Sequence, residues 1–383
     1  MRATIPGLIL LFIVAACGQA SGQTPATASP AAPSIAVLQT TDPSGLGRWD
    51  TIAIARLDGR VMAKATFAPM PVPSLGCMGA VIPQSAHVAG GKVFYADAKG
   101  VVRTLSLDGT IATATTFPLT STQQMLSFAA SPDGTQILGT VYTTPKNAFS
   151  CDGAAAGAPF SFDAYSATNG GSSTLVYHQD WTSVRDVLAL TGWDAVGPIG
   201  TYPTVWASQG GGPGSTLGVF VRVDATTLKP GAPLSDPNSC RVWDSVATGT
   251  FVCTQNPVSA NQKTSQPVSI RRADGTEAWR FTVTTTNPAS SPALSPDGEH
   301  VTMCCADVSS GFSYLLIGHD GTQGHLANGF YASAWLDSAT MVGDFNTDPL
   351  ARPPFPLAYV VASAPDKPVS IGLSGKVVGI IRG

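Results

Sequence analysis

One pattern constrains this chain more than any other: short turn phrases recur at nearly even intervals along most of its length. ARLDGRV carries Asp58, SLDGT Asp108, SATNGG Asn169, VDATTLKPG Asp224, RADGT Asp274, GHDGT Asp320 and SAPDKP Asp366. The intervals are 50, 61, 55, 50, 46 and 46 residues. A second set falls between these: AGGK at 89–92, SPDG at Asp133, GWDAV at Asp194, VWDSV at Asp244, SPDG again at Asp297 and WLDSA at Asp337. Asp-Gly is a strong hairpin-turn signal, because Gly reaches positive φ cheaply and Asp bonds its own backbone two residues on. Pro at the second turn position presets φ. Two turns per unit of about fifty residues imply four strands per unit. That is the sequence signature of a β-propeller, and the intervals give seven blades.

The ends of the repeat region are complementary. Residues 34–67 supply three strands, SIAVLQTTD, TIAIARLDG and RVMAKATF, whereas SGKVVGIIRG supplies one strand after the last turn. The C-terminal strand is therefore expected to complete the first blade. Composition agrees with an all-β chain. Of 383 residues 40 are Gly and 30 Pro, and the only glutamates are Glu277 and Glu299; helices favour Glu, Ala, Leu and Lys, strands Thr and Val. The net charge of −3 comes without a Lys/Arg run, so electrostatic nucleic-acid binding has nothing to work with.

The amino terminus reads differently. Arg2 precedes the apolar run LILLFIVAA at 8–16, too short for a lasting transmembrane helix, which needs about 20 residues. Val14-Ala15-Ala16-Cys17-Gly18 resembles the lipobox of bacterial lipoproteins. That resemblance implies cleavage before Cys17, acylation of its thiol, and an extracytoplasmic protein anchored to a membrane through lipid. Residues 1–16 are then a signal peptide, 17–33 a flexible tether without charge or apolar period, and 34–383 the propeller.

Six further cysteines, an even number in an exported chain, suggest disulfides. Cys240 and Cys253 flank the hairpin CRVWDSVATGTFVC. Cys77 with Cys151 is a second candidate pair, and Cys304-Cys305 form either a vicinal bridge or a reduced pair. The spacing fits no zinc pattern.

SPALSPDGEHVTMCCADVSSGFSYLLIGHDGTQGHL, 291–326, resembles the TolB-type, WD-like propeller repeat; 126–177 matches in part and the rest by period. The resemblance implies the fold and an extracytoplasmic, often interaction-based role. It carries no catalytic residue over, because the shared motifs are turns.

Catalytic signatures are missing from the sequence: GxSxG, SxxK, HExxH and a phosphate-binding Gly loop. No catalytic residue, metal or cofactor is assigned. Contact candidates are His178, Trp181 and Arg185 in YHQDWTSVRD, read as an interblade loop, and Tyr202 and Trp206 in the Gly-rich insert, since amphipathic aromatics suit exposed contact surfaces. Trp193, Trp243 and Trp335 precede first hairpin turns and are expected to pack between blades. The favoured reading is a monomeric binding or protein-interaction module. Its ligand, a protein or a small molecule or glycan, would meet the face carrying the inserts at 68–85, 144–160 and 203–216. Two alternatives stay open: a hydrolase or lyase working in the central channel, and a structural component of the cell envelope.

Overall fold

The computed structural model describes residues 33–41, 49–71, 86–146, 160–181, 188–201, 220–235, 240–254, 264–285, 290–306, 313–348 and 354–382. They form seven four-stranded antiparallel sheets, and none of them is helical. In chain order the first blade holds β1 (Ser34–Gln39), β2 (Thr51–Ala55) and β3 (Val61–Thr66). The second holds β4 (Ala86–Ala89), β5 (Lys92–Ala96), β6 (Val101–Leu105) and β7 (Ile111–Thr116). The third holds β8 (Gln124–Ala130), β9 (Gln136–Thr143), β10 (Phe160–Thr168) and β11 (Thr174–Trp181). The fourth holds β12 (Ala189–Trp193), β13 (Pro198–Thr201), β14 (Phe220–Val223) and β15 (Pro230–Pro233). The fifth holds β16 (Arg241–Ser245), β17 (Phe251–Thr254), β18 (Thr264–Arg271) and β19 (Glu277–Thr285). The sixth holds β20 (Ser290–Leu294), β21 (His300–Ala306), β22 (Ser313–Gly318) and β23 (Gln323–His325). The seventh holds β24 (Phe330–Trp335), β25 (Thr340–Phe345), β26 (Pro356–Val361) and β27 (Ala364–Ser374).

The last strand, β28 (Lys376–Ile381), pairs antiparallel with β1, placing Ser34 opposite Ile381 and Leu38 opposite Lys376. The first blade thus has the order β28-β1-β2-β3, as the complementary ends of the sequence predict. The first strand of each sheet lies innermost. β28, β4, β8 and β12 pack side by side in succession, as do β16, β20, β24 and again β28. Between β12 and β16 the link runs through the turns, where the Ala195 N–H donates to the Ala247 carbonyl at 2.8 Å.

The turn chemistry is repeated atom for atom. In the first SPDG, Ser131 Oγ donates to Asp133 Oδ1 (2.5 Å), Asp133 accepts from Thr135 N (3.0 Å), and Ser131 Oγ accepts from Gln136 N (2.9 Å). In the second, Ser295, Asp297, Glu299 and His300 make the same three bonds at 2.5, 3.0 and 2.8 Å. Gly134 and Gly298 sit at φ of 72° and 77°, where any Cβ is strained. Two expected turn residues lie elsewhere. Asp244 is inside β16, its hairpin being closed by Val246–Gly249, where Gly249 N donates to Val246 O. Asp366 is inside β27, because Ala362 and Ser363 already turn the chain. Trp243 therefore stands three residues before its turn's first position, not one before it like Trp193 and Trp335.

Strand alternation explains why the middle strands are apolar throughout. On β1, Ile35 and Val37 join a core with Leu336, Val342, Leu357 and Ile371 of the seventh blade. Ala36 and Leu38, pointing the other way, join one with Val93, Tyr95 and Leu105 of the second blade. A blade is buried on both faces, so periodicity of two disappears from its sequence. Packing is close: a Cβ on Gly343 would stand 2.0 Å from the Tyr331 carbonyl oxygen. We expect Gly343→Ala to lower unfolding free energy by about 1–3 kcal/mol or more, read as a reduced urea midpoint at unchanged slope.

Because four is even, the chain enters and leaves every blade at the same rim. All the tight hairpins (β4–β5 and β6–β7 in the second blade, and their counterparts) close at one face, called here the turn face. Ser34 and Ile381 are also at that face, since Ile35 pairs with Ala55 just before the Asp58 turn. The strand ends flanking 72–85, 147–159, 202–219, 255–263 and 307–312 lie at the opposite rim, the loop face.

Candidate functional site

Of the contact candidates, Arg185, Tyr202 and Trp206 lie outside the described residues, as does Trp181 beyond its backbone. Of the inserts at 68–85, 144–160 and 203–216, residues 72–85, 147–159 and 203–216 lie outside them too, as do Cys17, Cys77 and Cys151. His178 is described, and it is not on a loop. YHQDW is the loop-face half of β11, the outermost strand of the third blade. His178 pairs in register with Asp163 on β10. Its Nδ1 lies 2.6 Å from Asp163 Oδ1 and its Nε2 3.3 Å from Asp180 Oδ2. The bond to Asp163, more than burial opposes it, raises the imidazole pKa above its ordinary value. Asp163 was not singled out in the sequence; the alternation of SFDAYSAT opposite TLVYHQDW is the signal that would have found it.

The innermost strands show what the channel wall is made of. Among their partly exposed residues are Ala86, Val88, Ala293, Ala334, Val378 and Ile380, a small and apolar set. Two polar groups there bond to neighbouring blades, whereas Thr191, Ser333 and Lys376 are exposed. Ser127 Oγ accepts from Leu190 N of the fourth blade at 2.9 Å, and Asp244 Oδ2 accepts from Leu294 N of the sixth at 2.9 Å. Burial pushes the Asp244 carboxyl up to about 6, against the pull of the Leu294 and Ser245 N–H groups. His87 on β4 lies edge-on to Phe128 with ring centroids 5.1 Å apart. Its Nε2 is enclosed without a partner, and desolvation lowers its pKa to about 4 despite a hydrogen bond to the Phe128 backbone. Asp344, facing Tyr331 across β24–β25, is likewise raised by burial to about 6, with Lys376 pulling the other way.

The tryptophans act as blade-to-blade braces. Trp335 is buried and its Nε1 donates to Ala293 O of the preceding blade at 3.2 Å. Trp279 Nε1 donates to Gly298 O of the following blade at 2.8 Å. Trp193 packs against the core between the third and fourth blades; the Trp243 side chain is outside the described residues. Where β12 and β16 stand apart, a cavity of about 250 Å³ opens, lined by Thr191, Trp193, Asp194, Phe220, Asp244 and Ser245 among others. Asp194 is neutralised there by Arg222, through Oδ1 at 2.5 Å and Oδ2 at 2.7 Å. The sequence carries no signal for this cavity, since it arises from the spacing of two blades.

Cys240 and Cys253 are joined by a disulfide, Cα atoms 5.1 Å apart, across the β16–β17 hairpin. Cys304 and Cys305 lie on β21, their side chains outside the described residues. Among the described residues no three His, Cys, Asp or Glu side chains gather closely enough to hold a metal.

No family model matches this sequence, and no curated protein matches it. Solved structures are similar in fold. TolB from Acinetobacter baumannii is similar over 73% of this chain and 61% of its own, at 11% identity and a TM-score of 0.41; the chain thus spans about three fifths of that protein's length. An oligogalacturonate lyase in complex with manganese is similar over 82% of each chain, at 10% identity and a TM-score of 0.48. The Dos1 propeller is similar over 90% of this chain and 86% of its own, at 10% identity and a TM-score of 0.43. These likenesses concern architecture alone.

Proposed function

We propose that this chain is an extracytoplasmic lipoprotein whose seven-bladed propeller is a binding module, held to a membrane by acyl chains on Cys17. The observation that carries the reading is the parity of the fold. Ser34, where the tether from Cys17 joins the propeller, begins at the turn face. The strand ends that flank the long connections are all at the loop face. A chain that enters at one face leaves the long connections of the other free of the tether's attachment point, and recognition commonly uses loops on a rigid scaffold. Each buried CH₂ adds roughly 0.8 kcal/mol of membrane affinity, so two or more acyl chains anchor stably where one does not.

The experiment is expression of the full chain in a bacterial host fed labelled palmitate. The wild type is expected in the membrane fraction and labelled. Cys17→Ser is expected to lose the label and appear in the soluble extracytoplasmic fraction. Continued membrane association of Cys17→Ser overturns the anchor.

A further inference from the structure

The outermost strands of the blades present free sheet edges, and such edges are normally guarded by Lys, Pro, shortness or cover. Six of the seven here are guarded. β3 carries Lys64, β15 carries Pro230 and Pro233, and β19 carries Glu277 and Arg280. β23 has three residues, and β27 carries Pro365, Lys367 and Pro368. β7 has no such residue, but the third blade covers it: Gly170 N donates to Ala114 O and Ser173 Oγ to Thr116 O, both at 2.6 Å.

β11 is the least guarded; its charged side chains are Asp180 and, when protonated, His178. Its eight residues, TLVYHQDW, contain no Pro, Lys or Arg. Thr174, Leu175 and Val176 in succession, and His178, Gln179 and Asp180 after them, are exposed, while Tyr177 is half-buried against the core between the third and fourth blades. Leu175 is 49% and Val176 37% exposed. A β-bulge at Val176, between the Ala164–Tyr177 and Tyr165–Leu175 pairs, interrupts the ladder. Bulges blunt an edge, so the unguarded run is Tyr177–Trp181, ending at the loop face. Beside it lies a net negative group. Asp163 and Asp180 share one imidazole, His178, so two carboxylates outweigh it in either protonation state. Among the described residues no Lys or Arg pairs with either carboxylate.

We propose that the edge of β11 over Tyr177–Trp181 docks an extended segment of a partner protein, which adds to the blade as a fifth strand and sets a Lys or Arg beside Asp163, His178 and Asp180. Main-chain hydrogen bonds supply affinity in this mode and side chains supply selection. The inference rests on the reading of the chain as a binding module, but not on the lipid anchor, and its test needs no membrane.

The test uses the purified full-length chain in mild detergent and a fluorescent eight-residue peptide of alternating Lys and Val. Hydrogen–deuterium exchange and anisotropy are measured together. Saturable binding that slows amide exchange in Tyr177–Trp181, but not in β7, β19 or β27, is expected. Asp180→Asn, at an exposed position, and the Asp163→Asn/Asp180→Asn double variant should weaken it, the double by about fivefold, the scale of a cross-strand charge pair. No protection of β11 at millimolar peptide overturns the proposal. So does equal binding of a Glu–Val peptide, or protection of β11 without peptide in a chain that sediments as a dimer, which would make the occupant a second copy.

Discussion

Deleting Lys376–Gly383 is expected to abolish the cooperative unfolding transition and drive the chain into aggregates. β28 is the innermost strand of the first blade, and it touches β24 on one side and β4 on the other. Its Val377 and Ile381 are buried, and losing those two side chains alone removes roughly 3–6 kcal/mol of burial. That is comparable to the whole net stability of many domains, about 5–15 kcal/mol. The deletion also bares β1, Ser34–Gln39, whose first five residues are fully buried. A free edge of that composition pairs with whatever strand it meets. The measurements are thermal circular dichroism and sedimentation of the truncated chain. Adding the peptide KVVGIIR in trans should restore a transition, because the missing strand's pairing partner is intact. A truncated chain that stays monomeric and melts within a few degrees of the wild type would show that the ring is held by blade packing alone.

The second large effect is expected at Phe128. It is fully buried on β8, in a cluster with Phe94, Phe117 and Ile137, and it covers the ring of His87. Phe128→Ala should cost about 3–5 kcal/mol through lost transfer energy and the residual cavity. It should also let water reach His87. In the wild type the imidazole is depressed to about 4 from 6.5 by desolvation. The unfolded chain therefore takes up this proton first as pH falls. The associated stability is complete above about 6.5 and is lost as pH drops toward 4, roughly 2 kcal/mol of it between pH 7 and 5. Asp244 and Asp344 are shifted the other way, to about 6, so their contribution is present in acid and fades as pH rises through 6. Comparing wild type with Phe128→Ala cancels them. The variant should lose less stability between pH 7 and 5 than the wild type, and its His87 should titrate nearer 6.5 by NMR. An unchanged His87 titration would mean that Phe128 is not what keeps that ring dry.

The seven blades, their four strands and the closing strand were legible because turns carry local chemistry. An aspartate that must accept from the N–H two residues on, and a glycine at positive φ, leave the same letters in five of the seven blades, the first, second, third, fifth and sixth, with Asn169 standing for the aspartate in one turn. Asp58, Asp108, Asp274 and Asp320 each accept such a bond at 2.9–3.0 Å. The two misplaced turns show the limit. Asp244 copies the letters of a turn but spends its carboxylate on Leu294 N of the next blade. Asp366 sits between prolines yet lies within β27. What a carboxylate bonds across a blade interface is a long-range fact that no neighbouring residue encodes. The same holds for the His178 group. His178 and Asp180 are neighbours in sequence, but Asp163 arrives from the adjacent strand, and the exposure of β11 depends on how far the fourth blade reaches.

The position of β1 has a mechanical consequence. It is not an edge strand but lies between β28 and β2, hydrogen-bonded along both sides. A pull applied through the residues preceding Ser34 therefore loads two ladders at once, in shear, instead of unzipping one pair at a time. A chain held at its amino terminus while its far face is engaged would carry that tension through a strand fastened on both sides, and β28, the strand that shuts the ring, would share the strain.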